Sequence, residues 1–91
     1  MKLIDKVALI TGGANGIGAS TALEMARLGA NIAIVDREAD AAEDMKKQIE
    51  SIGRKCEIVI ADMRVPEEIA GCVTKTAKAL GSVDVLVHCA G

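Results

Sequence analysis

Four short, mostly apolar runs, at positions 7–10, 31–35, 56–60 and 83–87, are separated by stretches in which apolar residues recur every three or four residues. A run of four or five mostly aliphatic residues without polar alternation is the pattern of a strand covered on both faces. The stretches between read as helices. The first, from about 17 to 28, sets Ile17, Thr21, Met25 and Leu28 on one stripe and stops at Gly29. The second spaces Ala42, Met45, Ile49 and Ile52 by three and four before Gly53. The third opens with Pro66, whose missing N–H is no loss at a helix start, and with Glu67 and Glu68, whose charge suits the positive end of the helix dipole. Ile69, Val73, Ala77 and Leu80 follow before Gly81.

Alternation of strand and helix, beginning and ending on a strand, predicts a parallel sheet with crossover helices. Crossovers are right-handed. If the second and third strands step outward on one side of the first, and the fourth returns to its other side, the order is 3-2-1-4 with three helices on two faces. That is an incomplete Rossmann-type, doubly wound α/β fold, in one domain over residues 1–91. A fourth strand that continues outward is an alternative that periodicity leaves open. In the doubly wound layout a crevice opens between the carboxyl ends of strands one and four. Two segments meet there: Thr11-Gly12-Gly13-Ala14-Asn15-Gly16-Ile17-Gly18 and His88-Cys89-Ala90-Gly91.

The first of these packs four glycines into eight residues between a strand and a helix. Free N–H groups and the positive end of the helix dipole gather at such a junction, and glycine lets a diphosphate lie against the main chain without a Cβ in the way. A tight turn with close helix–sheet packing would also use glycine, though the spacing favours a phosphate site. Two phosphate chemistries compete. Gly13 to Ser20 has the spacing of a nucleoside-triphosphate loop, but Ala19 stands where that loop needs its lysine. A dinucleotide site instead needs an acid about 20 residues past the glycines, at the end of the second strand, to accept hydrogen bonds from the adenosine ribose. Asp36 stands there, eighteen positions after Gly18. A carboxylate beside a 2′-phosphate is a like-charge clash, and Ala14 and Asn15 supply no cation, so NAD is preferred over NADP. Arg37 could swing toward a 2′-phosphate, stack on adenine, or simply be solvated.

Composition adds exclusions. Eleven Lys and Arg against thirteen Asp and Glu leave no basic face for nucleic acid. Lys2, Asp5 and Lys6 break up the start of the chain, so neither a signal-peptide core nor a membrane span is read there, and a cytoplasmic location is expected. Cys56, Cys72 and Cys89 form no CxxC pair and suit a reducing compartment as small buried hydrophobes, and no metal set is visible. Phe, Tyr and Trp are absent, which removes any tyrosine acid or base. The lone histidine, His88, reads as a packing residue with one satisfied nitrogen.

Taken together, the segments resemble the amino-terminal half of the short-chain dehydrogenase/reductase family. TGGANGIG fits that family's T-G-x-x-x-G-x-G, with Gly12, Gly16 and Gly18 as the motif glycines and Asn15 within the turn. The resemblance implies that Ile17 covers the cofactor from the helix start and that Asp36, with Arg37 beside it, holds the ribose. It also implies that Asp62 and Met63 frame the adenine. His88-Cys89-Ala90-Gly91 stands where the family carries N-N-A-G, so contacts there would come from Cys89, Ala90 and Gly91. The family transfers hydride between a nicotinamide and an alcohol or carbonyl, using Ser, Tyr and Lys that lie downstream of that segment. The chain is therefore expected to be an NAD-binding half-domain cut before the catalytic segment, with no catalytic residue of its own and no activity alone. The alternative is a non-catalytic nucleotide-binding or interaction module. The fourth strand would present an unpaired aliphatic edge, and self-association through it is expected.

Overall fold

The computed structural model describes residues 2–89. Its elements are β1 (Val7–Thr11), α1 (Gly16–Arg27), β2 (Asn31–Asp36), α2 (Ala39–Ser51), β3 (Cys56–Ile60), α3 (Pro66–Leu80) and β4 (Val85–His88). All four strands are parallel, in the order β3-β2-β1-β4, so the fourth strand returns to the far side of the first. Registers such as Thr11 to Val35 and Thr11 to His88 bring the carboxyl ends of β1, β2 and β4 to one edge.

β1 is buried along its whole length because it is central and covered on both faces. On one face Ala8, Ile10, Ile32 and Ile34 pack with Ala22 and Ala26 of α1 and with Ala42, Met45 and Ile49 of α2. Leu9, Ala33, Val35 and Val59 form the other face, under Cys72 of α3. Both layers are made without an aromatic ring.

Two helices turn a different side inward from the one their large residues suggest. In α1 the buried positions are Gly18, Ala22 and Ala26, while Ile17 is 79% exposed and Leu28 is 41% exposed. Small residues spaced by four let the helix axis come close to the sheet, and a stripe chosen by side-chain size misses them. In α3 the sheet covers Cys72 and Thr76, leaving Ile69 and Val73 on the flank, each 37% exposed. Among the described residues α3 packs on no other helix, so nothing covers that flank. Thr76 is buried with its hydroxyl oxygen unpartnered, a polar residue within the spacing of Ile69, Val73 and Leu80. α2 buries Ala42, Met45 and Ile49 as its spacing indicates. No helix is long and apolar enough to cross a membrane.

The fourth strand starts at Val85, two residues later than its apolar run. Asp84 is the reason: its backbone N–H donates to the Val7 carbonyl at 2.8 Å while its carboxylate accepts the Val7 N–H at 2.8 Å and the Ser82 hydroxyl at 2.9 Å. A side chain thus takes the rung that a strand residue would fill, and Val83 tucks under α3. Beyond it, Val85 and Val87 face the α1 layer, whereas Leu86 is 55% exposed on the opposite face.

The Val7 N–H, with the Ser82 hydroxyl behind it, holds the Asp84 carboxyl below its ordinary value of 3.8. A folded-state pKa below the unfolded one gives stability that is present above the ordinary value and lost as acid protonates the folded carboxylate. Asp84→Asn should therefore melt below wild type at neutral pH. The gap should be constant above about pH 5 and shrink below about pH 4, which thermal unfolding across pH measures.

Candidate functional site

At the carboxyl edge a cleft of about 410 Å³ is lined by Thr11, Gly12 and Asn15 from the first turn, by Asp36, Arg37 and Glu38 after β2, by Ala61 to Arg64 after β3, and by His88 and Cys89 after β4. Its floor is set by glycine. Gly12 has φ +68, and a Cβ there would run into the carbonyl oxygen of Cys89. Its N–H donates to the Val35 carbonyl at 2.8 Å, so the turn is wedged between the ends of β2 and β4. At Gly18 a Cβ would fall on the carbonyl oxygen of Gly12, so only glycine lets α1 begin against the turn.

The start of α1 is left open. Asn15 is the N-cap residue, a type well suited to bonding first-turn N–H groups, yet its side chain makes no capping bond, and no acid occupies the first turn. The Asn15 amide instead donates to the Glu38 carboxylate across the mouth of the cleft. Unsatisfied N–H groups and the dipole's positive end are thereby available to an anion.

Asp36 faces this helix start. Its Oδ2 accepts the Ala14 N–H at 3.2 Å and its Oδ1 accepts the Glu38 N–H at 3.0 Å. Two main-chain donors fix the carboxylate plane and leave about half of its roughly four acceptor positions for hydroxyl groups of a ligand. Asp62 is more heavily engaged. The Arg64 N–H and Nε each reach Oδ1 at 3.0 Å, and Nη2 reaches Oδ2 at 2.7 Å. The Arg64 side chain and then its backbone N–H hold the Asp62 carboxyl well below the usual carboxylate range. A ligand amino group at Asp62 has to share it with this guanidinium.

The end of β4 is secured through Thr11. The Cys89 N–H donates to the Thr11 carbonyl at 3.1 Å and to its hydroxyl oxygen at 3.2 Å, and His88 Nδ1 lies 2.8 Å from that same hydroxyl. One ring nitrogen of His88 is thus partnered. Cys56 and Cys72 are buried, and burial pushes the Cys56 thiol up to about 12. Cys89 is half-buried at the cleft. No group of three potential metal ligands occurs among the described residues.

Of the residues singled out from the sequence, Gly12, Asn15, Asp36, Arg37, Asp62, Met63 and Cys89 converge on the cleft. Gly16 and Gly18 shape its approach without lining it, Ile17 projects into solvent, and Ala90 and Gly91 lie outside the described residues. Thr11, Glu38, Ala61, Arg64 and His88 also line it and were not identified as site residues. Glu38 and Arg64 each stand two residues beyond an identified acid, which was the signal available in the sequence.

A family profile described as short chain dehydrogenase matches residues 6–91. The chain belongs to that family. It is 46% identical over 91 residues to General stress protein 39 of Bacillus subtilis (strain 168), covering 99% of this chain and 32% of that protein. L-sorbose reductase from Gluconobacter frateurii, solved in complex with NADPH and L-sorbose, superposes with a TM-score of 0.92 at 34% identity, over 100% of this chain and 35% of that one. An NAD+-bound xylitol dehydrogenase superposes with a TM-score of 0.89 at 30% identity, over 94% and 33%. The chain thus spans about a third of the length of these relatives, in the cofactor-binding region of the short-chain dehydrogenase fold.

Gly18→Ala forces a methyl onto the Gly12 carbonyl and should cost at least about 2 kcal/mol of folding stability. Gly71→Ala is the control: it lies inside α3 with open space around it and should stabilise by about 0.5–1 kcal/mol. Urea unfolding of the two variants reads both signs.

Proposed function

We propose that the chain is the adenosine-side NAD-binding unit of a short-chain dehydrogenase/reductase. The observation that carries this reading is the pairing of an uncapped, acid-free helix start at Gly16 with a carboxylate, Asp36, fixed opposite it by two main-chain N–H groups. The diphosphate rests at the turn of Gly12, Gly16 and Gly18, beside Asn15, and Ile17, exposed at the first turn of α1, covers it. Asp36 takes the ribose hydroxyls. Asp62 and Met63 frame the adenine, and Cys89, Ala90 and Gly91 contribute at the end of β4. A solved relative holds NAD+ and another holds NADPH, so membership of the family leaves the coenzyme open. Asp36 favours NAD, because a 2′-phosphate would meet a carboxylate held in place by two main-chain N–H groups.

When bound, the nicotinamide supplies hydride chemistry toward an alcohol or carbonyl. The residues here bind and orient the coenzyme. The sequence holds no tyrosine, so none of these 91 residues is the family's proton donor.

Asp36→Ala should weaken NAD binding about tenfold or more, the loss expected when hydrogen bonds to a charged acceptor are removed, and should narrow the preference over NADP. Isothermal titration of wild type and variant checks both; unchanged affinity contradicts the assignment. The half-covered β4 edge, with Leu86 exposed, is proposed to drive self-association. Sedimentation should show mass rising with concentration, and a monomer at every concentration contradicts it.

A further inference from the structure

The cleft is not evenly charged. Among the described residues, neither Asp36 nor Glu38 has an ion-pair partner, whereas Arg64 is paired with Asp62 at 2.7 Å on the opposite wall. Arg37 also lends its charge to Asp62. The wall after β2 therefore carries two carboxylates without an ion-pair partner among the described residues, with Arg37 between them in sequence.

The two carboxylates are held in parallel by consecutive residues of the glycine turn. The Ala14 N–H reaches Asp36, and the amide of Asn15 reaches Glu38. Both bonds span the gap between the turn and the loop after β2, where the adenosine ribose lies in the function proposed above. Glu38 gives its own helix nothing in return. It is the N-cap of α2 and makes no side-chain capping bond. An exposed glutamate would ordinarily be free to swing into solvent, and here it is tethered across the mouth of the cleft instead.

We propose that Glu38, held over the cleft by Asn15, is a second specificity-determining carboxylate that acts with Asp36 against a 2′-phosphate on the adenosine ribose. This rests on the nucleotide-binding reading. A 2′-phosphate brings close to two negative charges at neutral pH, so a second carboxylate adds to the repulsion that Asp36 exerts. Asn15 has a linked part: by bonding to Glu38 rather than capping α1, it positions the glutamate and leaves the helix start free for the diphosphate.

The test is isothermal titration of the full chain with NAD and with NADP at low salt, for wild type, Glu38→Gln, Asn15→Ala and Asp36→Ala. Glutamine keeps the size of Glu38 at an exposed position where the carboxylate caps nothing, so the fold is retained. Glu38→Gln should raise NADP affinity relative to NAD by about fivefold. Asn15→Ala should shift the ratio the same way by a smaller factor, since the freed carboxylate moves off the cleft. Salt at about 0.5 M should narrow the wild-type ratio more than that of Glu38→Gln, because screening acts on the charge that the variant lacks. If Asp36→Ala loses NAD binding while Glu38→Gln leaves the ratio unchanged, the site stands and the role of Glu38 is overturned. A wild type that binds neither coenzyme overturns the nucleotide function and this inference with it, and a wild type that prefers NADP overturns the charge argument.

Discussion

The site depends on one contact between two pieces of backbone. The carbonyl oxygen of Gly12 occupies the space that a Cβ of Gly18 would need, so α1 begins directly on the turn that leaves β1. Alanines at positions 22 and 26 continue that close approach down the helix. If the start of α1 were a side chain's width further out, its free N–H groups would no longer face the Asp36 carboxylate. Gly12 imposes the matching constraint on the other side, where its backbone fills the space against the Cys89 carbonyl. Packing density at this corner is therefore what sets the open start of α1 against the edge of the sheet.

Charge is then laid out around that corner by hydrogen bonds rather than by ion pairs. Asp36 is oriented by main-chain N–H groups, which a flexible side chain cannot mimic. Asp62, by contrast, is clamped by an exposed guanidinium, an arrangement that contributes little stability but dictates where the positive charge sits. Thr11 does comparable work at the end of β4, using its hydroxyl to receive the Cys89 N–H and to meet His88. The end of β4 is thus secured by the threonine that opens the glycine turn.

The strand order and the position of the cleft were legible because alternation of elements and the handedness of crossovers leave few layouts. Gly12 and Asp36 were legible because spacing along the chain fixes them at strand ends. The inward faces of α1 and α3 were not, since Gly18, Ala22, Cys72 and Thr76 carry little weight in a pattern of large apolar residues. Glu38 and Arg64 escaped for another reason. A charged residue in a loop is usually solvated, and only the folded chain shows one tethered to Asn15 and the other clamped on Asp62. The delayed start of β4 reflects a side chain taking a main-chain partner, which no periodicity encodes.

In the proposed function the first-turn N–H groups of α1 receive a diphosphate while Asp36 holds the adjoining sugar. Titrating a 15N-labelled chain with ADP-ribose and following each amide by NMR tests it most directly. The largest shifts should fall at Gly12 through Gly18 and at Asp36, with the amides of α3 unmoved. Shifts confined to another surface, or none at saturating ligand, would contradict it.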